Sequence, residues 1–498
     1  MIDQLIERAR ERPHDPFLLY EDSTTDFATT CALAGRGAAW LASLGVAPGQ
    51  HVLVAVSNRP LFLFYWLSIA WRGAVAVPIA HDAFGDPLRY TARQSDAVLV
   101  LTEESEGARL AAALSDMALP VHALAGEAAF AQAVRPFDPL APVAPSGSRP
   151  VAILYTSGTT GLPKGAVIPE ASYRAIGRKI VEAIGITRED RILTFLPLHH
   201  ANPQMYSVMS ALTVGCAVAI VPRFSASRFL AQVRHHRATG FTYVGTVLSI
   251  LAKEIGDRSP TSLRFCVGGG APKAVWQELA PRLEVTIHEL YGMTETGGMV
   301  TVNTREHQRF GSVGRVRDDF EVVILDDQDQ ELREGVGEIA VRPRVAHAMT
   351  SGYYKKPEET VAASGNWWFH TGDLGRFDAD GFLFFEGRKK ELIRRGGEMI
   401  SPVAIELSAL KHAGVADCAA VGVPDAIVDE EIKLCVVARA ELAPGEICGF
   451  LAERLPRHMV PRYIQFVPEI PKTPTQKVQR FKLGGLPEPV HDMKRASP

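Results

Sequence analysis

Residues 151–165 read VAILYTSGTTGLPKG, an aliphatic run that breaks into glycines, hydroxyls and one lysine. The first six residues have the length and β-branched content of a buried strand. The next nine cannot continue it. Thr156, Ser157, Thr159 and Thr160 carry hydroxyls, Gly158, Gly161 and Gly165 carry no side chain, and Lys164 carries a charge. Glycines let backbone N–H groups approach an anion closely, while hydroxyls and a lysine add donors and positive charge. A phosphate-binding loop is the expectation. It is not a Walker loop, because two residues separate Gly161 from Lys164 and Gly165 stands where Ser or Thr should follow the lysine.

Outward from that strand, similar runs recur every 20–35 residues or so with helix-length patterns between them. They are HVLVAVS (51–57), AVAVPI (74–79), AVLVL (97–101), RILTF (191–195), AVAIV (217–221), FTYV (241–244), RFCV (264–267) and EVTIHE (284–289). This alternation predicts an α/β fold of mainly parallel βαβ sheets. After residue 310 the strands crowd together, and FEVVIL (320–325) and GEIAVR (337–342) read as a smaller β-rich part. A charged break, EGRKKELIRRGG (386–397), precedes a helix near 402–412, strands near 415–423 and 431–438, and a helix near 446–455. The expected organisation is therefore an N-terminal region 1–388 and a small α+β C-terminal domain 389–498, with the boundary at Arg388–Lys390.

With 53 basic and 56 acidic residues the charges nearly cancel, so no surplus exists to hold a nucleic acid or an anionic membrane. Hydrophobic residues make up 47% and charged residues 22%, which excludes extended disorder. The six cysteines are scattered without metal spacing or a pairing pattern. The N-terminal MIDQLIERARERPHDP is a charged amphipathic helix pattern, not a signal peptide. Met205–Pro222 is uncharged, but Gly215 divides it into a helix and a strand, so no membrane span is expected. These features together predict a soluble, cytoplasmic protein. A homo-oligomer is compatible with them. His235 and His236 lie on a helix pattern and are expected to face solvent.

Four further segments carry chemistry: HELYGMTETGG (288–298), WFHTGDLGRFDADGFLFFEGR (368–388), KKELIRRGGEMISPVAIE (389–406) and IPKTPTQKVQRFKL (470–483). With the glycine-rich loop, in this order and spacing, they resemble the adenylate-forming superfamily of acyl-CoA synthetases, luciferases and peptide-synthetase adenylation domains. The resemblance covers essentially the whole chain. The stretch 197–229 is most similar to the carnitine/crotonobetaine-CoA ligase branch. The resemblance implies a small mobile C-terminal domain, with the active site between it and the large N-terminal region. It implies ATP, Mg²⁺ and coenzyme A, and a carboxylic acid that becomes acyl-AMP and then a thioester. Such a reaction concentrates negative charge at the α-phosphate, which suits donors, lysine and a divalent cation.

Roles implied position by position are as follows. Thr156–Lys164 holds the departing pyrophosphate. Glu295 is the Mg²⁺-associated carboxylate, with Thr294 near the α-phosphate. Gly269, Gly270 and Ala271 form a wall beside adenine, Tyr291 stacks on it, and Gly292 and Met293 continue that segment. Asp373 and Arg388 bind the ribose. His200 or its neighbour His199 lies near the substrate carboxylate, with Met205, Tyr243, Val244 and Gly245 nearby. Lys390 is the hinge and Lys477 bridges carboxylate and α-phosphate. Gly396 and Gly397 flank a pantetheine tunnel, where Arg394 and Arg395 meet CoA phosphates. Gln476 and Leu290 depart from the family pattern, before the lysine and before Tyr291 respectively.

Other readings of the residues are weaker. Gly268–Gly270 fails as a dinucleotide motif at Lys273, and DADG (378–381) fails as a calcium loop at Lys389, leaving a turn. The leading function is an acyl-CoA ligase. Alternatives are a specialist for the thioester half-reaction, an adenylation enzyme loading a carrier protein, and a nucleotide sensor without catalysis. The carrier is the less favoured acceptor because no carrier-like domain is appended.

Overall fold

The computed structural model describes residues 1–156, 163–256, 261–395, 398–425, 429–472 and 478–493. The chain forms two compact units, Met1–Val322 with Val341–Phe369, and Val323–Ala340 with His370–Pro498. The boundary expected at Arg388–Lys390 thus falls inside the second unit.

The first unit is built on two sheets. One orders its strands Arg315–Val316, Gly298–Val302, Thr286–Met293, Phe265–Gly269, Gly240–Val244, Arg191–Thr194, Ala217–Ile220, Pro16–Tyr20 and Ser23–Asp26. Its centre, from Thr286–Met293 to Pro16–Tyr20, is parallel throughout. The other orders Val121–Leu124, Ala97–Glu103, His51–Ala55, Val75–Pro78, Pro150–Thr156 and Lys164–Pro169, parallel except for the last pair. Every strand expected between residues 51 and 290 is present. Val75–Pro78 and Ala217–Ile220 are buried at every residue. That explains their unbroken apolar runs: a parallel sheet covered on both faces leaves no position for a polar residue.

Helices supply the cover. Pro60–Arg72 is buried at twelve of its thirteen residues. Proline at its first turn and Gly73 at φ 74° beyond its end set its limits. It packs on Phe27–Ser43, where Gly37 faces Ser68 so closely that a Cβ would lie 2.1 Å from the hydroxyl oxygen. The uncharged stretch after Asn202 divides as expected, into a π-turn Pro203–Val208, a helix Met209–Val214 and the strand Ala217–Ile220, with Gly215 at φ 80° between the last two. Among the described residues no helix is long and apolar enough to cross a membrane. His236 departs from expectation. It is 6% exposed, its carbonyl accepting from Arg191 Nη1 at 3.2 Å, because the helix end turns inward there.

A further sheet is ordered Phe320–Leu325, Gly337–Pro343, Phe369–Phe377 and Leu383–Arg388. The DADG segment is the turn within it, where Asp378 Oδ1 accepts from the N–H groups of Asp380 (3.0 Å) and Phe382 (2.9 Å). A second sheet follows the order Glu398–Ile400, Ile393–Arg395, Asp429–Ala438, Tyr463–Phe466 and Val490–Asp492, with Val415–Asp425 also on Asp429–Ala438. Helices Pro402–Ala409 and Pro444–Ala452 lie close to the predicted positions. Arg480 ties this part together, pairing with Glu406, with Glu391 at 3.1 Å and with the carbonyl of Ala420 at 2.8 Å.

Two glycines test this packing with opposite signs. Gly37→Ala forces a methyl group into Ser68 and should destabilise the first unit by roughly 1–3 kcal/mol. Gly449 lies inside the helix Pro444–Ala452, and no described atom outside that helix comes within 4 Å of where its Cβ would stand. Gly449→Ala should therefore stabilise the second unit by about 0.5–1 kcal/mol. Urea unfolding of both variants reads the two shifts.

Candidate active site

The glycine-rich loop joins two antiparallel strands, not a strand and a helix. Thr156 pairs with Lys164 across its base, and Tyr155 with Gly165. Ser157, Gly158, Thr159, Thr160 and Gly161 lie outside the described residues. At the base, Thr156 Oγ1 donates to Glu295 Oε1 at 3.0 Å, and the Tyr353 hydroxyl donates to the same oxygen at 3.0 Å. Lys164 Nζ sits 5.0 Å from the centre of the Tyr353 ring. Glu295 is 4% exposed, and its own carbonyl accepts from Thr350 N–H at 2.9 Å. Among the described residues no donor falls on Oε2. A carboxylate steadied through one oxygen fits a hard divalent cation at the other, since Mg²⁺ is commonly held by one carboxylate plus phosphates.

Tyr353 carried no signal in the sequence beyond following Gly352. It reaches Glu295 because 350–354 runs beside Lys164–Pro169, with Val167 N–H on Gly352 O at 3.0 Å and Tyr354 N–H on Gly165 O at 2.8 Å. Burial and the Glu295 charge push its phenol well above the ordinary tyrosine value, so it stays a donor.

The segment 291–298 leaves its strand through a bulge between Tyr291 and Gly292. Gly297 N–H closes a turn on Thr294 O at 3.0 Å, and Thr296 Oγ1 accepts from Met293 N–H at 3.0 Å. Gly292 is packed so that a Cβ would lie 2.1 Å from Gly298 O. Thr294 and Glu295 are thus carried on a turn held by its own backbone. Tyr291 is 7% exposed.

Gly269, Gly270 and Ala271 follow the strand Phe265–Gly269, and Gly270 takes φ 92°. A Cβ on Gly245 would stand 1.7 Å from Gly270 O. The structure therefore joins two groups of predicted residues, 269–271 and 243–245, through bare backbone. Glu289, which the sequence reading passed over, braces them. Its carboxylate accepts from Gly270 N–H, from Ala271 N–H at 3.0 Å and from the Tyr243 hydroxyl at 2.5 Å. Burial pushes this carboxyl up to about 8, against the pull of those three donors. An ionisable residue inside an apolar strand was the available signal.

His199 and His200 lie with ring centres 4.1 Å apart and their planes tilted by 47°, beyond the end of the strand Arg191–Thr194. Burial lowers His200 to about 4, and burial with the neighbouring His200 and His81 takes His199 well below its ordinary value. His200 Nε2 has no partner among the described residues. Met205 is fully buried in the core, its sulfur 3.2 Å from where a Cβ on Gly298 would stand, so it shapes the site from behind. Val244 is half-buried against the core.

In the second unit Asp373 and Arg388 are direct partners across two strands, with Arg388 Nε 3.2 Å from Asp373 Oδ1. Gly372, at φ 71°, turns its N–H onto Glu338 Oε1 at 3.0 Å. Glu338 also takes Lys389 Nζ at 3.3 Å. Arg395 is engaged with buried Glu431 at 2.7 Å and donates to His458 O at 2.7 Å and Val460 O at 3.1 Å. That structural task leaves it little freedom for a CoA phosphate. Arg394 has an exposed side chain and gives its backbone N–H to Glu430 at 2.8 Å. Gly396, Gly397 and Lys477 lie outside the described residues, as does the side chain of Lys390. The segment bearing Lys477 is bounded by a bridge between Lys472 and Val478.

The histidine pair yields a pH prediction. Both folded-state values lie below the ordinary histidine pKa of about 6.5, so the unfolded chain binds protons first. Stability present above pH ~6.5 is lost as pH falls towards 4. Thermal unfolding across that window should show a falling Tm, and His199→Asn/His200→Asn should flatten the fall.

Comparison with known proteins agrees with this architecture. Residues 5–354 match the AMP-binding enzyme family and residues 404–477 the AMP-binding enzyme C-terminal domain. The chain is 33% identical to a sulfoacetate–CoA ligase of Cupriavidus necator, over 96% of each chain. It is 29% identical to a crotonobetaine/carnitine–CoA ligase of Salmonella choleraesuis, over 89% of each. Among solved structures, the o-succinylbenzoate CoA synthetase of Bacillus subtilis with its acyl-adenylate intermediate superposes with a TM-score of 0.88 at 26% identity, covering 97% of this chain and 98% of the other. With both family matches in chain order and the Glu295 cradle in the first of them, this chain belongs to the AMP-binding enzyme family, among its AMP-forming acid–CoA ligases.

Proposed function

We propose that the acid is small and polar and that the residues above act in the roles their positions suggest. The names of the sulfoacetate and the crotonobetaine/carnitine relatives support the acid class. The observation that carries the residue roles is Glu295, buried and steadied on one oxygen by Thr156 and Tyr353. Its other oxygen would hold Mg²⁺, which when bound would supply positive charge beside the phosphates. Lys164, Ser157, Gly158, Thr159, Thr160 and Gly161 hold the pyrophosphate, and Thr294 meets the α-phosphate. Gly269–Ala271, Tyr291, Gly292 and Met293 surround the adenine. Asp373 takes the ribose hydroxyls as a two-oxygen acceptor, with Arg388 beside it.

In the first step an acid oxygen bonds to the α-phosphorus and the bond to pyrophosphate breaks. Lys477 offsets the charge that builds between carboxylate and phosphate, and neutral His200 orients the acid. In the second step the CoA sulfur bonds to the acyl carbon, AMP leaves with its oxygen, and the thiol proton passes to solvent. Arg394 is the candidate for a CoA phosphate, and Gly396–Gly397 for the pantetheine. Lys390 is the hinge that serves the two steps in turn, and CoA rather than a carrier protein is the acceptor. Six free cysteines suit the reducing cytoplasm.

Pyrophosphate, AMP and thioester measured separately over a panel of small polar acids test the reading. Acid-dependent pyrophosphate release without thioester would overturn CoA as acceptor, and no release with any acid would overturn the acid class. Asp373→Ala should weaken AMP binding by about 10–100-fold in calorimetry, the worth of a charge-assisted hydrogen bond of roughly 1.5–3 kcal/mol. Lys477→Ala should abolish acyl-AMP formation yet spare thioester formation from supplied acyl-adenylate. Lys390→Pro fixes φ at the hinge and should depress one half-reaction far more than the other; equal losses would count against it.

A further inference from the structure

Glu289 is 3% exposed, and four hydrogen bonds meet its side-chain oxygens. Burying a carboxyl group is costly unless hydrogen-bond partners meet both oxygens. Here they do. Oε1 accepts from Gly270 N–H and from Ala271 N–H at 3.0 Å, while Oε2 accepts from Ala271 N–H at 3.1 Å and from Tyr243 Oη at 2.5 Å. The backbone of the same residue is gripped too. Its carbonyl accepts from Asn303 N–H at 2.9 Å and Asn303 Nδ2 at 3.2 Å.

Register explains why one residue reaches so much. Tyr243 lies opposite Gly268, and Gly268 opposite Glu289, so the three form a row across adjacent parallel strands. Gly268 has no side chain, and a Cβ there would sit 2.0 Å from Tyr243 O. Glu289 and Tyr243 therefore meet across a gap that any other residue at 268 would fill. Two residues further along its strand, on the same face, stands Tyr291. Gly270 and Ala271 have no side chain long enough to anchor their own loop, and Gly270 at φ 92° has the backbone freedom of a glycine. The carboxylate of Glu289 is what holds their N–H groups still.

We propose that Glu289 is a positioning residue that fixes the Gly269–Ala271 loop against the purine, and so sets affinity and selectivity for the base of ATP and AMP without touching substrate. The inference rests on the reading of that loop as the wall beside adenine. Removing the acceptor leaves the N–H groups of Gly270 and Ala271 without the carboxyl that holds them and lets the loop move, which costs base binding and not the chemistry at phosphorus.

Three variants test it. Glu289→Leu keeps the bulk and removes both oxygens. KM for ATP and Kd for AMP should rise about tenfold, and the preference for ATP over GTP should fall, with kcat at saturating ATP within about threefold of the parent. Glu289→Gln keeps one carbonyl oxygen for the two N–H groups and can donate to the Tyr243 oxygen, so it should restore AMP affinity to within about threefold. Glu289→Asp is too short to span loop and tyrosine at once. It covers the case in which the leucine variant does not fold, and should weaken AMP about threefold or more. Unchanged AMP affinity in a folded Leu or Asp variant overturns the role of Glu289. A raised KM for the acid alone, with ATP and AMP unaffected, overturns it differently: the loop then faces the acid, and the adenine-wall reading fails while the grip on the loop stands.

Discussion

A carbonyl oxygen of Gly270 occupies the place where a side chain on Gly245 would begin, 1.7 Å from the position its Cβ would take. Similar intimacy recurs between Gly268 and Tyr243 O, at 2.0 Å, and between Gly292 and Gly298 O, at 2.1 Å. The first two lie at the carboxyl ends of adjacent parallel strands, where open α/β folds place their ligands, and the third lies where the next strand, Thr286–Met293, turns into its antiparallel neighbour. Without side chains the strand ends close on one another, and the surface they offer is backbone N–H and C=O. Such a surface is rigid only if its donors are satisfied. That constraint sets what the neighbouring side chains must be.

Two carboxylates six residues apart answer it in opposite ways. Glu289 meets donors on both oxygens and is spent entirely on holding loops. Glu295 meets its donors, Thr156 and Tyr353, on a single oxygen. The first arrangement engages both oxygens, and the second leaves Oε2 without a donor among the described residues. Burial is comparable, at 3% and 4% exposed, so the distribution of donors, not depth, separates the two acids. In the second unit a similar division recurs. Glu338 steadies the backbone before Asp373, while Asp373 itself faces the guanidinium of Arg388. Arg395, by contrast, is used up on Glu431 and two carbonyls.

Much of this was legible in the residues alone. Parallel sheets follow from unbroken apolar runs at βαβ spacing, and the strands fall where those runs lie. The clustering of hydroxyls, glycines and lysine at 155–165 gives the expectation of a phosphate loop, because such residue types have few other uses together. Gly215 divides the uncharged stretch 205–222 because a left-handed turn ends a helix there, and that freedom belongs to glycine. Motif order along the chain was enough to indicate the family and the chemistry.

What the sequence could not state is which groups of distant residues meet. Tyr353 and Glu295 are 58 positions apart and share one hydrogen bond, and nothing in SGYYKK selects the first tyrosine over the second. Tyr354 instead donates to Asp96 at 2.8 Å, because consecutive residues in an extended segment point to opposite sides. Arg394 and Arg395 look alike as letters and diverge for the same reason. Glu289 reads as one acid among many until register sets it beside Tyr243 across a bare Gly268. Residue type and spacing determined the elements and the chemistry available to them. The allotment of each side chain to holding or to reacting was decided only by the tertiary structure, since it depends on which donors burial brings within about 3 Å of each oxygen.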